Sequence, residues 1–197
     1  MPGADAGGRP AAGVPPRHRD RRRSATAITA AALGLANAAV SAYWLAGGTA
    51  LLDTVGGDIE EWGRRRSAPV LVALAAVVAV KAVVAVSAPL YAGMGGGPAR
   101  RLVALAAEPW ARALGWVAAT VLVAYGGVLT LAGLAVQAGV VAPAADADER
   151  ALAWHAYLWD PWFLAWGVAL AATLIVTASG RRRAHRRPAR SVGPYLQ

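Results

Sequence analysis

A single lysine stands in the middle of a long apolar segment of this chain of 197 residues. When the apolar segments are aligned by their uncharged centres, Lys81, Asn37 and Tyr125 fall at similar depths. A lone ammonium at the centre of a bilayer costs about 2.5–3.5 kcal/mol on insertion scales, so it should face protein or water. Lys81 could therefore handle protons or bind an anion. Alternatively, it snorkels to the inner headgroups, or only hydrogen-bonds Asn37 and Tyr125 and so locks the packing.

A second group of reactive side chains surrounds residue 155. His155 and Asp160, with Asp53 from another segment, combine an imidazole with carboxylates, which is the pairing used in general acid–base catalysis and in metal sites. One histidine is a weak metal signal, and we predict no metal site. A simpler role for Asp160 is to cap a helix that begins at Pro161. The cofactor is unknown, because the sequence has no nucleotide-binding or metalloprotease motif.

Aromatic side chains crowd the same region of the sequence. Indole rings prefer the headgroup layer of a bilayer, so an aromatic belt explains most of the eight tryptophans. A belt does not explain the histidine and carboxylates beside them, and a polar pocket is the alternative. The candidate binding residues are Trp44, Asp53, Trp62, Trp154, His155, Trp159 and Trp162.

The elements that position these residues follow from where charge is absent. Residues 24–52, 113–145 and 161–180 carry no charge, and residues 67–99 carry only Lys81. About 20 apolar residues cross a hydrocarbon core about 30 Å thick. A soluble helix of this length would show a polar stripe, which these segments lack. We predict an all-α, integral membrane four-helix bundle over residues 24–180, made of two hairpins and short interfacial helices, with helices at about 25–46, 69–90, 113–137 and 161–179.

The arginines predict how the bundle is oriented. The two basic tails, residues 1–23 and 181–197, are expected to be disordered. With both termini cytoplasmic, fifteen of the nineteen arginines lie inside and eight of the eleven acidic residues lie outside, as expected for a bacterial plasma-membrane protein. The triplet Arg64 to Arg66 opposes this orientation, but neighbouring acids could neutralise it. A cleaved signal peptide is the competing interpretation, although the apolar run exceeds the usual length of about 7–15 residues.

A resemblance to a known family is carried by two segments, YWLAGGTALLDTVGG at 43–57 and WHAYLWDPWFL at 154–164. They resemble a family of small bacterial membrane proteins known as domain-of-unknown-function family 3995. The likeness covers about residues 25–179, and the second segment is the more specific. The resemblance implies four membrane helices and no established activity.

Three functions agree with these patterns. The first is a binding protein whose outer aromatic and acidic cap receives a lipid, a small amphipath or a partner protein. The second is a membrane enzyme that acts on an apolar substrate with His155 and Asp160, oriented by Asp53. The third is a small transporter or proton carrier centred on Lys81. Nucleic acid is not an expected partner, since arginines beside membrane helices usually set topology and contact anionic lipid.

Overall fold

The computed structural model describes residues 16–185, and within them every regular element is helical. The prediction of an all-α fold is confirmed. The seven α-helices are α1 (Pro16–Leu45), α2 (Gly57–Arg65), α3 (Ala68–Tyr91), α4 (Arg100–Ala107), α5 (Pro109–Gln137), α6 (Glu149–Trp154) and α7 (Asp160–His185). Short 3-10 turns occupy Leu52–Thr54 and Gly97–Ala99, and a π-helical turn at His155–Trp159 joins α6 to α7.

Four helical segments are long and apolar enough to cross a membrane: 20–45, 68–91, 109–137 and 149–179. Helix α3 packs on α1, and α5 packs on α7, which gives the two predicted hairpins. The hairpins join mainly through α1 and α7. Helices α3 and α5 touch only sparsely, so a groove remains between them on the outside of the bundle.

Large apolar side chains cover the outside of the bundle, and alanines make up much of its centre, together with Trp166, Leu170 and Leu174. Leu131 is 71% exposed and Val72 is 70% exposed, whereas Ala30, Ala85 and Ala88 are fully buried. An apolar surface of this extent would aggregate in water, but it is the expected surface of a protein surrounded by hydrocarbon. Because lipid chains are as apolar as leucine, the helices associate through close contact between small residues.

Among the glycines of α5 and α7, Gly126 lies nearest to the backbone of the facing helix. A Cβ atom placed there would lie 2.3 Å from the backbone nitrogen of Leu164 and 2.8 Å from the carbonyl oxygen of Asp160. At Gly167 on the facing helix, a Cβ would lie 2.8 Å from the backbone nitrogen of Val123. These two glycines let the helices approach backbone to backbone, in the place where α7 carries Asp160.

Several helix boundaries differ from the prediction. Helix α1 begins at Pro16 instead of residue 25, so the basic run at 17–23 forms its first turns. Proline suits the first turn of a helix, and arginine is a good helix former, which explains the extension. Helix α5 begins at Pro109 instead of residue 113. The remainder of the two predicted disordered tails, residues 1–15 and 186–197, lies outside the described residues.

The loop between the first two spans contains an amphipathic helix, α2, that the sequence reading missed. Its pairs Glu60–Arg64, at 2.8 Å, and Glu61–Arg65 have the i,i+4 spacing that supports an exposed helix. The guanidinium of Arg66 instead donates to the carbonyl oxygens of the last two residues of α1, at 2.9 and 3.0 Å. Two arginines of the triplet are thus paired with acidic neighbours, and the third contacts only carbonyl oxygens among the bonds described.

Replacing Gly126 by alanine should destabilise the bundle by about 1–3 kcal/mol, because the new methyl group would collide with the backbone of α7. Gly127→Ala is the matched control, since it has nearly the same helix propensity gain and its Cβ would lie 3.7 Å from the nearest atom. The measurement is the unfolding free energy in mixed detergent micelles. Equal stability of the two variants would contradict the close packing at Gly126.

Candidate functional site

The chain reaches the site through one widened helical turn. Pro161 lies inside a continuous helix and has no N–H, and its ring crowds the carbonyl of the preceding turn. The helix accommodates this with the π-helical turn at His155–Trp159, in which the N–H of Asp160 donates to the carbonyl of His155. A π-helical turn brings residues five apart onto one face, and His155 and Asp160 are five residues apart. Helix α7 starts one residue before the predicted start at Pro161, but the chain is already helical there, and Asp160 itself has helical backbone angles. The predicted N-cap role of Asp160 is therefore wrong.

Both nitrogens of His155 face an acceptor. Its Nδ1 lies 3.3 Å from Oδ1 of Asp160, and its Nε2 lies 3.2 Å from the carbonyl oxygen of Val55. Because a carbonyl oxygen only accepts, the contact with Val55 is a hydrogen bond when Nε2 is the donor. The Asp160 side chain is 4% exposed. Through its contact with Val55, His155 therefore ties the loop after α1 to the π-helical turn.

Asp53 does not join this pair as predicted. Its carboxylate lies 3.0 Å from the guanidinium of Arg150, and both side chains are exposed. The carboxylate that contacts His155 is that of Asp160 alone among residues 16–185, where no cluster of three histidine, aspartate or glutamate side chains is suited to a metal ion. The predicted orienting role of Asp53 is therefore wrong for this geometry.

Three of the predicted tryptophans form a stack, in which Trp159 is buried and Trp44 and Trp162 are half-buried. Trp159 and Trp162 are parallel with ring centroids 6.2 Å apart, and Trp44 meets Trp159 edge-on at 5.8 Å. Each indole nitrogen donates a hydrogen bond within the protein: Trp159 to Oγ1 of Thr54, Trp162 to the carbonyl of Leu33, and Trp44 to that of Ala50. With only 6% of its surface exposed, Trp159 belongs to the interior instead of a belt in the headgroup layer.

The other two predicted tryptophans lie apart from the stack. Trp62, on α2, is 51% exposed and borders a smaller recess of about 230 Å³ that Trp44 closes on the other side. Trp154, on α6, lines a shallow surface recess with Tyr157 and Leu158. These positions suit contact with lipid headgroups, as an aromatic belt would have.

Members of both groups of candidate residues line one cavity. The cavity has a volume of about 430 Å³, and Lys81, Asn37 and Tyr125 contribute to its wall together with His155 and Trp159. The sequence pattern had indicated separate sites around the lysine and the histidine. The remaining wall residues are Val40, Ser41, Trp44, Val55, Ile59, Leu74, Val77 and Phe163.

Lys81 points into the bundle and towards the end of α1. Its Nζ donates to Oγ of Ser41 at 2.8 Å and lies 5.4 Å from the ring centroid of Phe163. Tyr125 meets the same ring edge-on, with centroids 5.5 Å apart. Ser41 is four residues from the C-terminal end of α1. The ammonium therefore does not snorkel towards headgroups at the level of the N-terminal end of α1. Within residues 16–185, no carboxylate forms an ion pair with it.

Asn37 adds an unpaired polar atom to this cavity. Its side-chain oxygen is buried and has no hydrogen-bond partner in the described part of the chain, and the residue is 2% exposed. A buried acceptor without a donor costs about 1–3 kcal/mol, so it is a place where a ligand donor or water gains binding energy.

Sequence reasoning missed Ser41 and Phe163, which hold the ammonium. A signal for Ser41 exists, because it follows Asn37 by four residues and so shares its helix face. Phe163 had no such signal, since one aromatic residue in an apolar segment is usually ordinary packing. The phenyl ring reaches Lys81 only because α7 crosses the bundle beside both α3 and α5.

The fold defines a helical protein with four helices of membrane-spanning length and a largely apolar cavity on which a few polar side chains converge. Residues 34–170, more than two thirds of the chain, match the family described as protein of unknown function (DUF3995), and the chain belongs to that family. The resemblance stated from the two motif segments is thereby confirmed. Searches of curated proteins and of solved structures found no match.

Asp160→Ala should lower the unfolding free energy by about 1–3 kcal/mol, because it removes the carboxylate partner of His155 inside the protein. A double-mutant cycle with His155→Ala, measured by unfolding in mixed micelles, should show coupling between the two residues. Asp53→Ala is the control and should change stability by less than about 1 kcal/mol, since its ion pair is exposed. Additive losses at 155 and 160 would contradict the pairing.

Proposed function

We propose that this chain is a multi-pass protein of a bacterial plasma membrane that binds a small amphipathic ligand in the cavity beneath its outer cap. The cap consists of the 3-10 turn Leu52–Thr54, helix α2 and the π-helical turn. The observation that carries the proposal is a cavity of about 430 Å³ with apolar walls, on which a few polar groups converge. Ligand sites in proteins usually have this size and composition.

The distribution of charge supports the orientation in this proposal. One end of the bundle holds the arginine-bearing start of α1, the end of α7 and the segment between α3 and α5, and the other end holds the acidic residues of α2 and of the loop before α6. Arginine is retained on the cytoplasmic side of membrane proteins. The cap then faces outward, and lipids of the surrounding membrane are the nearest source of an amphipathic ligand. A partner protein bound to the same cap is the alternative to a lipid.

The contacts of His155 weigh against the enzyme alternative. A general base needs an unprotonated nitrogen that is free to reach a substrate. In this site Nε2 donates to Val55, and Nδ1 is occupied by Asp160. His155 is therefore better suited to closing the cap than to taking a proton from a substrate.

The inner half of the bundle weighs against a carrier centred on Lys81. A carrier needs a route from the cavity to the other side of the membrane. Below Lys81, Arg112 on α5 donates to the carbonyl of Leu174 and to Thr177 on α7, at 2.8 and 3.1 Å. The hydroxyl of Tyr91 donates to the carbonyl of Ala111 at 2.8 Å. These contacts join the helices on the inner side, which favours a site that holds a ligand over one that passes it through.

Orientation is testable by cysteine labelling, because the chain has no native cysteine. Asp58→Cys, on α2, should react with a membrane-impermeant maleimide added to intact cells. Gly96→Cys, in the turn after α3, should react only after the cells are made permeable. Both positions are exposed, so accessibility within the protein does not differ. The reverse pattern of labelling would exclude the cytoplasmic placement of the termini.

Ligand retention is testable by native mass spectrometry of the full chain in a mild detergent. The wild-type protein should carry a small-molecule adduct that survives removal of the detergent. Val40→Trp should lose it, because the indole would occupy the cavity that Val40 lines. The control Leu35→Trp lies on the same helix, at an exposed position outside the cavity wall, and should keep the adduct. A wild-type protein without any adduct, or equal retention by both variants, would overturn the proposal.

A further inference from the structure

We propose that the ligand is a single-chain amphipath with a small anionic head, which enters sideways from the lipid with its head at Lys81 and its chain in the groove between α3 and α5. This inference rests on the proposed function and specifies its ligand. The groove has a volume of about 400 Å³. It shares Val77, Lys81 and Phe163 with the cavity, so the two spaces meet at the ammonium.

The groove offers the chain an apolar surface that the protein itself does not cover. Apart from Lys81, its walls are aliphatic and aromatic side chains of α3, α5 and α7. On its rims, Val80 of α3 is 63% exposed and Val121 of α5 is 59% exposed. An alkyl chain in this groove stays in hydrocarbon-like surroundings and fills the gap that α3 and α5 leave between them.

The charge of the head group follows from the partners of Lys81. An ammonium has three donors, and the described part of the chain supplies it with one hydroxyl and one aromatic face. The carboxylate of Asp160 is engaged by His155 and does not serve as its counter-ion. A cation in low-dielectric surroundings is stabilised far more by an anion than by a hydroxyl. An anionic oxygen beside Nζ would supply the missing charge, and the unpaired oxygen of Asn37 would accept a hydroxyl of the head or of a retained water.

The depth of Lys81 limits the size of the head group. The backbone of Lys81 lies 13 residues from the start of α3, or about 20 Å at 1.5 Å per residue, and its Nζ reaches back to Ser41, about 6 Å from the end of α1. The ammonium therefore lies inside the span, between these two depths. The bulky head of a diacyl phospholipid stays at the interface, outside a hydrocarbon core about 30 Å thick. A carboxylate or a phosphate monoester on a single alkyl chain is small enough to reach this depth. Both head groups present an anionic oxygen to the ammonium.

The test is binding of 9,10-dibromostearate to the full chain in phosphatidylcholine nanodiscs. Binding is measured by bromine quenching of tryptophan fluorescence, because Trp166 lines the groove and Trp159 lines the cavity. Saturable quenching is expected. Lys81→Met should weaken binding about tenfold, the loss of one charge-assisted contact, and Lys81→Arg should restore most of it. Dibromostearyl alcohol, which has no charge, should bind Lys81→Met and the wild type equally. Lauryl phosphate should compete with dibromostearate, and inorganic phosphate should not.

The groove is tested separately with a matched pair of variants on α5. Val121→Phe should weaken dibromostearate binding about fivefold, because the ring fills the groove, whereas Val128→Phe, equally exposed but outside the groove, should not. Thermal melting of each variant confirms that it is folded. Unchanged binding in Lys81→Met or in Val121→Phe overturns this inference. If Val40→Trp still removes a native adduct in that case, the cavity remains a ligand site with another ligand; if no adduct exists either, both proposals fail.

Discussion

The contact between α5 and α7 at Gly126 is the constraint on which the rest of this structure depends. In a bundle whose large apolar side chains face outward, helices hold together where backbones approach, and Gly126 and Gly167 allow that approach. Asp160 lies at the same level, with its carbonyl against Gly126. Close packing here fixes the height of the π-helical turn, and through it the position of His155 and of the tryptophan stack.

The polar groups occupy the space that this packing leaves open. Where α1 and α3 carry Ser41 and Lys81, the neighbouring helices do not close over them, and a cavity remains. Where α3 and α5 have few contacts, a groove runs along the outside. The same small-residue packing therefore explains both the rigid half of the bundle and the space that we assign to a ligand. The buried ammonium at the junction of cavity and groove is the reason for the anionic head group in our proposal.

Much of the fold was predictable, because membrane-length helices are recognised from local composition. Uncharged segments identified all four long helices and their pairing into two hairpins, and the end of α5 at Gln137 agreed. The errors arose at polar boundaries. Arginines in the first turns of α1 and acidic residues in α2 resemble solvated loops in composition, yet both form helices. At Pro161 the rule that proline starts a helix was misleading, because a π-helical turn allows a proline to lie within one.

The candidate site, like the fold, was predictable from the sequence only in part. Residue types alone indicated that Lys81, Asn37 and Tyr125 share a depth, that His155 and Asp160 belong together, and that the tryptophans gather at one end. Only the tertiary structure decided that Lys81 contacts Ser41 and Phe163, that Asp53 pairs with Arg150, and that the lysine and the histidine line one cavity. Depth and composition are properties of each segment, so they can be read locally. Contacts between helices depend on rotation and register, which are set by backbone packing across the whole bundle.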